Sequence, residues 1–596
     1  MNFWTRVSRI ILKNRYLILI LIALATTFLV SQMKHMRFSY TEANLLPEDH
    51  EVNIQYNQFL DIFGEEGNLI LLAIKDSTVF TPAKFNLWNS LAKSFDSLNE
   101  VEFTLSIADV KKLKKDTKNK KFLLESIYTE KLTSQKTIDA VKEELFEKLP
   151  FYDNLLYNKE TGTIQTAIYI NKEIVNTPVR KAFVFNKLIP IIEAFEKETN
   201  LDVRVSGMPY IRTINAQNII DEIQLFVLGA LLITGIIFFF FFRSYRATFI
   251  TLLVVTIGVT WAFGFIGLFG YEITVLTALI PPLIIVIGVP NAVFLINKYQ
   301  QEIKLHGQQA KALQRVISKI GNATLMTNIT TASGFATFVF VKSQLLREFG
   351  ILASINILSI FVLALLIIPI LYSFMKPPKK KHLNHLEKKW IENIVNWMEN
   401  MVRKRRITIY ITTVIIIILG IIGLYQIRVS GSLIEDMPKT KAFYKDIKFF
   451  EKEFGGIMPL EILIDTKKDK GVMKLSTLKR MDKLNEVIGS FPELSKPVSV
   501  VNLVKYSKQA YYKGNPKYYQ LPTSQEQNYI FEYTKNSDGN SNLLNNFLDS
   551  TGQYGRITTF MKDVGTDKMN DIQERLQQVV TKEFPEERYA VSFTGK

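Results

Sequence analysis

The chain has 596 residues, 47% of them hydrophobic and none of them cysteine, and its formal net charge at pH 7 is +17. This length predicts several structural units rather than one core. A chain without cysteine has no disulfide, no thiol nucleophile and no thiolate metal site. The positive charge could indicate nucleic-acid binding, but the basic residues are grouped beside apolar segments, so we expect no nucleic-acid partner.

Seven apolar segments are long enough to cross a bilayer as helices, which takes about 20 residues each. They comprise residues 16–33, 223–242, 247–269, 273–297, 321–341, 349–374 and 406–427. Lys and Arg are concentrated before the first segment, between the second and third, after the fourth, and within residues 376–406, all on one side if the segments alternate. This positive-inside pattern predicts a multi-pass protein of the inner (plasma) membrane with a cytoplasmic N-terminus and two large exported domains.

Residues 34–222 form the first exported domain in this prediction. Strand-like and helix-like runs alternate along it: Leu69–Ile74, 84–98, Val101–Ile107, 134–148, Thr163–Ile170, 179–198 and Leu201–Ser206. The alternation is typical of an α+β domain of the βαβ type. The basic run Lys111–Lys121 is interpreted as a solvated loop.

Residues 428–596 repeat this plan, with strands predicted at Leu460–Asp465, Val498–Val504, Gly555–Met561 and Tyr589–Thr594. An internal duplication is expected because several positions correspond at one constant offset. Pro47, Phe59 and Phe63-Gly64 match Pro438, Phe450 and Phe454-Gly455, and the first apolar segment aligns with the seventh. Five apolar segments follow the first copy but not the second. We therefore expect the sequence to be a truncated product that lacks a second five-span block.

These patterns predict a polytopic α-helical membrane protein with two α+β exported domains. Its parts are an N-terminal cytoplasmic segment with the first span (1–33), the first exported domain (34–222), a five-helix membrane block (223–375), a cytoplasmic amphipathic linker (376–405), the seventh span (406–427) and the second exported domain (428–596).

The linker is predicted to lie on the inner leaflet. Apolar residues recur in it near a helical period, flanked by basic ones, which is typical of an amphipathic surface helix: Leu383, Leu386, Trp390, Ile391, Ile394 and Trp397. His382 and His385 have H-x-x-H spacing. No third ligand is near them in the sequence, so we expect no metal there.

The fourth apolar segment is interrupted by residues that disturb helices. Pro281-Pro282 lies near its start, and Gly288, Pro290 and Asn291 lie in its second half. A proline has no N–H for the carbonyl four residues earlier, so three carbonyls are predicted to lose their partners, those of Thr277, Ala278 and Val286. Either this segment lines a transport pathway or coupling site, or it has a packing kink, which membrane helices tolerate.

Polar residues at helical spacing in the fifth and sixth segments are further candidates for transport or coupling. They are Thr330, Thr331 and Asn356, accompanied by Thr327, Asn328 and Gly334. The alternative interpretation is that they only join helices, since small and hydroxyl residues allow close approach and bond across a helix interface.

The chain contains no motif that predicts enzymatic chemistry or a bound cofactor. Phe593-Thr594-Gly595-Lys596 is similar to the end of a phosphate-binding loop, but Ala590 stands where the leading glycine would be and no Ser or Thr follows. We therefore expect no enzyme, no cofactor and no metal.

Several motifs in the membrane block occur in combination: Ala278–Pro282, Ile287–Phe294, Thr330–Phe335, Arg347–Gly350 and Pro369. In this combination the chain resembles the resistance–nodulation–division (RND) superfamily, specifically its MMPL and Patched-like branch, and the five-span block is similar to a sterol-sensing domain. The resemblance implies an exporter of hydrophobic or lipid-like compounds with twelve spans, two periplasmic porter-like domains and proton coupling. Membrane lipids, a lipid-like substrate and further copies of the chain are the implied partners.

One position departs from the family pattern. Where most members have an acidic residue in the fourth span, this sequence has Pro290 followed by Asn291. Between their end residues the seven segments contain no Asp, Glu, His, Lys or Arg, and Glu272 and Glu348 lie outside them. We therefore expect no proton relay in these segments. Two alternatives to export stay open: a lipid-binding regulator or scaffold similar to sterol-sensing proteins, and an auxiliary factor for protein export.

Overall fold

The computed structural model describes residues 3–38, 49–64, 67–128, 131–274, 276–377, 389–427, 431, 439–535, 544 and 546–595. The chain divides into two units, of which the first comprises Met1–Glu48 and Ala216–Arg428 and the second Asp49–Asn215 and Val429–Lys596. We call these the membrane unit and the lobe unit. Within the lobe unit, residues 49–215 are the first lobe and residues 429–596 the second lobe.

Some predicted features lie outside the described residues. These are the aligned Pro47 and Pro438, the H-x-x-H pair His382 and His385, and the linker residues Leu383 and Leu386.

The helices that position the site and the two lobes are, in chain order, α1 (Phe3–Lys13), α2 (Arg15–Gln32), α3 (Glu51–Phe63), α4 (Pro82–Asp96), α5 (Gln135–Glu143), α6 (Pro178–Phe183), α7 (Ile189–Thr199), α8 (Met208–Phe242), α9 (Tyr245–Phe269), α10 (Ile280–His306), α11 (Gln309–Ala336), α12 (Gln344–Phe374), α13 (Lys389–Lys404), α14 (Arg406–Gln426), α15 (Ala442–Phe454), α16 (Leu475–Gly489), α17 (Val500–Tyr511), α18 (Ser524–Lys535) and α19 (Thr566–Glu583).

The strands are β1 (Arg37–Phe38), β2 (Leu69–Ile74), β3 (Val101–Leu105), β4 (Lys111–Asp116), β5 (Lys121–Ser126), β6 (Ile164–Ile170), β7 (Arg204–Ser206), β8 (Glu272–Ile273), β9 (Met458–Asp465), β10 (Val498–Ser499), β11 (Tyr554–Met561) and β12 (Ala590–Thr594).

Six of the described helical segments are long and apolar enough to cross a membrane: Arg15–His35, Met208–Phe242, Tyr245–Phe269, Leu276–His306, Gln344–Phe374 and Arg406–Gln426. The chain is therefore a multi-pass membrane protein. The fifth predicted segment, residues 321–341, lies mostly on α11, which is not one of the six. The amides and hydroxyls of α11 lower its hydropathy, so the seventh span stays a prediction.

Close helix packing in the membrane unit depends on small residues. Gly258 of α9 and Gly288 of α10 both lie against Ile360 of α12, and a Cβ at Gly288 would come within 2.9 Å of the Ile360 Cγ1 atom. Gly264 of α9 lies against α2, where its Cβ would come within 2.6 Å of the Leu29 Cβ atom. In contrast, none of the residues of α14 is buried in the described structure.

The lobe unit contains two four-stranded sheets of corresponding strand order, β3-β6-β2-β7 in the first lobe and β10-β11-β9-β12 in the second. All neighbouring strands in both sheets are antiparallel, with Leu71 opposite Ala167 and Ile462 opposite Ile557. The βαβ prediction therefore needs a correction. In each lobe the first two strands are joined through a helix, but the third strand lies between them, which is the split βαβ arrangement.

Two local predictions in the lobes are wrong. Val498–Val504 is a strand only at Val498–Ser499, because the Ser499 hydroxyl accepts from the Val501 N–H at 3.2 Å and starts α17. Lys111–Lys121 is not a solvated loop, since it belongs to the β4–β5 hairpin. Phe122 of that hairpin is buried beside Tyr533 of the second lobe.

The first helix of each lobe packs on the sheet of the other lobe. Helix α3 contacts β12, and Arg556 of the second lobe covers the rings of Phe59 and Phe63. Helix α15 contacts β7, where the Arg204 Nη1 atom lies 3.0 Å from the Asp446 Oδ1 atom. The two lobes are therefore interlocked by exchanged helices, and their cores merge along one face of the first sheet.

Candidate functional site

Helix α10 carries the candidate site and begins later than its sequence suggested. Pro281 and Pro282 lie in its first turn, where the missing N–H would have no helical partner in any case. A short 3-10 turn, Thr277–Leu279, precedes the helix, and the Thr277 carbonyl accepts from the Ile280 N–H. The predicted break at the start of this segment is therefore wrong, because the prolines begin the helix instead of interrupting it.

Pro290 does lie inside α10. It has no N–H to donate to the Val286 carbonyl, so the helix lacks one bond at this turn. Pro290 is exposed and Val286 is 67% exposed, whereas Asn291 is only 5% exposed. The side of α10 that lacks the backbone hydrogen bond thus faces away from the packed helices, whereas the Asn291 side chain lies among them.

Asn291 is joined to Asn328 of α11 by two reciprocal hydrogen bonds. The Asn291 Nδ2 atom donates to the Asn328 Oδ1 atom at 3.0 Å, and the Asn328 Nδ2 atom donates back to the Asn291 Oδ1 atom at 2.9 Å. Asn328 is 2% exposed and also donates to the Thr324 carbonyl at 2.7 Å. We call Asn291 and Asn328 the amide pair. It is a buried polar joint between two helices that carries no charge and cannot titrate.

Gly288 lies one turn before Asn291 on the buried side of α10. It brings α10 against Ile360 of α12 and Val255 of α9, with its Cβ position 2.9 Å from the nearest Ile360 atom. A side chain here would push the helices apart. Three features therefore lie within four residues of α10: close packing at Gly288, a missing backbone hydrogen bond at Pro290 and a side-chain hydrogen bond at Asn291.

The other predicted site residues do not join the amide pair. The Thr330 and Thr331 hydroxyls are exposed and donate to carbonyls of their own helix, Met326 at 2.8 Å and Thr327 at 2.9 Å. Asn356 of α12 is 1% exposed, and its Nδ2 atom donates to the Leu352 carbonyl at 2.8 Å. Its buried Oδ1 atom has no hydrogen-bond partner among the described residues.

The sequence interpretation named Asn328 only as a residue that accompanies the candidates Thr330, Thr331 and Asn356. The available signal was that Asn328 and Thr324 are four residues apart and so share one face of α11. That face could not be matched to Asn291 without knowing the register of the two helices. Asn328 is therefore the site residue that the interpretation missed.

Glu302 was missed for another reason, since it lies just beyond the predicted end of the fourth segment. It is fully buried, and the Nζ atom of Lys319 lies 2.9 Å from its carboxylate. Lys298, His306 and Arg315 lie within 3.8 Å of the same carboxylate. This group ties the ends of α10 and α11 together at their connecting turn.

The two loop acids considered in the sequence are not part of the amide pair. Glu272 is exposed on β8, which pairs with β1. Glu348 accepts a hydrogen bond from Gln344 at 2.9 Å. The described residues contain no group of three or more His, Cys, Asp or Glu that could hold a metal ion.

Residues 184–405 match the family model described as the MMPL family. The chain carries an MMPL-family membrane segment. This confirms the family resemblance seen in the sequence, and the amide pair, Gly288 and Pro290 all lie within the matched residues.

Two curated proteins match parts of this chain. A putative membrane protein of Methanocaldococcus jannaschii is 27% identical over 172 residues, which are 29% of this chain and 44% of that protein. The apo-petrobactin exporter of Bacillus anthracis is 23% identical over 394 residues, which are 58% of this chain and 51% of the exporter. The chain thus spans about half the length of the curated relatives it matches.

Proposed function

We propose that this protein is an MMPL-type exporter that moves lipids or other hydrophobic or amphipathic compounds across or out of the inner membrane. The family match and a relative named as an exporter support transport. The single observation that carries the proposal is the amide pair, because it places a buried polar joint beside a proline in a membrane helix of that family segment.

The amide pair and Pro290 together give α10 a point at which it can change shape. The missing backbone bond lowers the cost of bending, and the reciprocal amide bonds hold α10 to α11 in the observed arrangement. Broken helices beside polar groups are a common plan for transporter binding sites. In the proposed cycle, α10 bends at Pro290 as the substrate passes, and the amide pair separates and forms again.

This proposed mechanism does not use a proton carried by the amide pair. Amides stay neutral across the physiological pH range, so a pH gradient would act on other groups. Transport changes no covalent bond of the substrate. We propose that the substrate is itself lipid-like and that it is surrounded by membrane lipids before export.

Three architectural features belong to the same proposal. The basic groups on one side of the apolar helices support a cytoplasmic N-terminus and exported lobes. The corresponding strand orders of the two lobes support an internal duplication. We propose that α11 is a seventh span. Its buried residue Asn328 donates hydrogen bonds to the Asn291 side chain and to the Thr324 carbonyl, so this amide is satisfied inside the protein, as a membrane interior requires.

Transport by variants of the amide pair tests the proposal. The protein is reconstituted in vesicles that contain a fluorescent phospholipid, and its export is followed by quenching from outside. We expect Asn291→Leu and Asn328→Leu to reduce export about tenfold without loss of inserted protein, because an unpaired buried amide costs about 1–3 kcal/mol. Thr330→Val, on an exposed face, is the matched control and should export normally. Export by both leucine variants at the wild-type rate would contradict the proposal.

A lipid-binding regulator or scaffold is the second candidate, and the neutral amide pair favours it. A protein that binds lipid without moving it needs no titratable group in its membrane helices. The same assay separates the two functions. A regulator would bind the fluorescent phospholipid, but quenching would show no export from wild-type vesicles at any imposed gradient.

A further inference from the structure

The connection between α13 and α14 carries four consecutive cations, Arg403, Lys404, Arg405 and Arg406, which we call the basic junction. Helix α13 ends at Lys404 and α14 begins at Arg406. Backbone bonds cross the connection, from the Arg405 N–H to the Met401 carbonyl at 2.9 Å and from the Ile409 N–H to the Arg405 carbonyl at 3.2 Å. These two backbone bonds hold the basic junction in a defined shape.

Most of this charge has no counterion within the described part of the chain. Arg403 forms an exposed pair with Glu399 at 3.1 Å. Lys404, Arg405 and Arg406 form no ion pair with a described acidic residue. The turn between α10 and α11 is different, because the cations there share the buried carboxylate of Glu302. The cations of the basic junction can therefore bind an anionic partner.

Helix α13 also presents an uncovered apolar stripe. Ile394, Trp397, Met398 and Val402 recur at helical spacing, and each is 46–62% exposed. The stripe leads into α14, a 21-residue apolar helix with no buried residue in the described structure. Because α14 has the length and composition of a membrane span, the junction at its first residue lies at a membrane boundary.

We propose that α13 and the basic junction bind the anionic headgroups of the membrane surface. The stripe enters the boundary between headgroups and acyl chains, as in other surface helices. The unpaired cations contact lipid phosphates beside it. An anionic bilayer is the binding partner that this surface favours. Helix α13 carries an apolar stripe, ends in the cations of the basic junction and continues directly into the apolar helix α14. This inference requires only that α14 spans a membrane and does not depend on transport.

The test uses the full protein in detergent, titrated with phosphatidylglycerol and with phosphatidylcholine, and counts bound lipids by native mass spectrometry. One cation at a membrane surface changes the affinity for anionic lipid about fivefold. We therefore expect Arg405→Gln with Arg406→Gln to reduce the preference for phosphatidylglycerol about tenfold or more. The matched control is Lys118→Gln with Lys136→Gln, which removes two exposed cations of the first lobe, outside the apolar helices, and should change the preference by less than about twofold.

A charge-preserving variant and a fluorescent label complete the experiment. Arg403→Lys, Arg405→Lys and Arg406→Lys together should retain the preference, which shows that folding is intact. The chain has no cysteine, so Met398→Cys can be labelled with an environment-sensitive dye and placed in nanodiscs. The dye should report an apolar setting in discs with phosphatidylglycerol. Equal losses from the two double variants, or a dye signal that appears only as protein copies associate, would overturn the proposal.

Discussion

The membrane unit and the lobe unit bury polar groups in opposite ways. In the membrane unit the joint between α10 and α11 is a pair of neutral amides, and the buried carboxylate Glu302 lies only at the helix end with its cations. In the lobe unit, α15 carries buried acids into the seam between the lobes. Glu453 is 3% exposed and accepts from Lys75 at 2.7 Å and from Thr163 at 2.9 Å.

The difference follows from the cost of placing charge away from water. A charged side chain at the centre of a bilayer is expensive, so an amide is the less costly polar contact there. In the lobes, the Lys75 side chain is 43% exposed and keeps part of its hydration while it pairs with Glu453. The lobes can therefore be held together by charge, whereas the membrane helices depend on close packing and uncharged hydrogen bonds.

The largest expected effect comes from a buried ion pair of the second lobe. Lys508 is 4% exposed, and its Nζ atom lies 3.0 Å from the Glu526 carboxylate. Glu526→Ala leaves this buried cation with only the Leu521 carbonyl, 3.2 Å from its Nζ atom, as a partner, which should destabilise α17 and α18 by about 3–5 kcal/mol. Hydrogen exchange of the two helices measures the loss. The double variant Lys508→Met with Glu526→Leu is the control and should recover most of it, and an equally unstable double variant would argue against the pair as the cause.

Acid should weaken the same region. Burial alone would raise the pKa of Glu526, but hydrogen bonds from the Thr523 N–H, the Tyr512 hydroxyl and Lys508 lower that pKa from 4.5 to about 2. The charged form is thus favoured in the folded state. Its contribution is complete above the unfolded pKa and is lost as the pH falls from 4.5 toward 2.

Hydrogen exchange of α18 at a series of pH values tests this direction. The protection factor of α18, which compares its exchange rate with that of an unstructured peptide at the same pH, should decrease as the pH falls below 4.5, and Glu526→Gln should flatten this dependence. The pKa of Asp446 is raised by burial, so its protonation should not add to the loss. A protection factor that stays constant down to pH 3 would contradict the assignment.

The next effect tests close packing in the membrane unit. Gly288→Leu would overpack the contact with Ile360 and should lower the stability of the bundle by about 1–3 kcal/mol. Unfolding in mixed micelles measures the change. Gly334→Leu is the matched control, since no atom lies within 4 Å of its Cβ position. Ile360→Ala should partly rescue Gly288→Leu, and a lack of rescue would place the strain elsewhere.

Local patterns in the sequence predicted much of the fold. The apolar run Leu69–Ile74 is a strand over the same residues, because a short apolar run bounded by polar residues is a local signal. The error at Val498–Val504 is also local, since the apolar residues there hid the helix cap at Ser499. The antiparallel order of the two sheets depends on pairing between strands that are far apart in the sequence, such as β2 with β6 and β9 with β11, so no single segment predicts it.

The candidate site was predictable only in part. Asn291 stood out because it follows a proline in an apolar segment, but its partner Asn328 is brought to it by the register of two helices. The ion pairs between the lobes, Lys75 with Glu453 and Arg204 with Asp446, could not be predicted either, because they also depend on contacts between distant parts of the chain. Glu453 and Asp446 occupy positions that suit the exposed face of an amphipathic helix, and only the exchange of helices between lobes buries them.

The smallest expected effect concerns the coupling within the amide pair. Hydrogen bonds between membrane helices contribute about 0.6 kcal/mol on average and up to about 1.7 kcal/mol in double-mutant cycles. We expect Asn291→Leu and Asn328→Leu to show a coupling energy in this range when bundle unfolding is measured in mixed micelles. Asn356 is equally buried but bonds to its own helix, so Asn291→Leu and Asn356→Leu should be additive. Additive behaviour of Asn291→Leu and Asn328→Leu would mean that the two reciprocal bonds contribute nothing to stability. The membrane unit would then be held by apolar packing alone, and its contrast with the charged seam of the lobes would be sharper still.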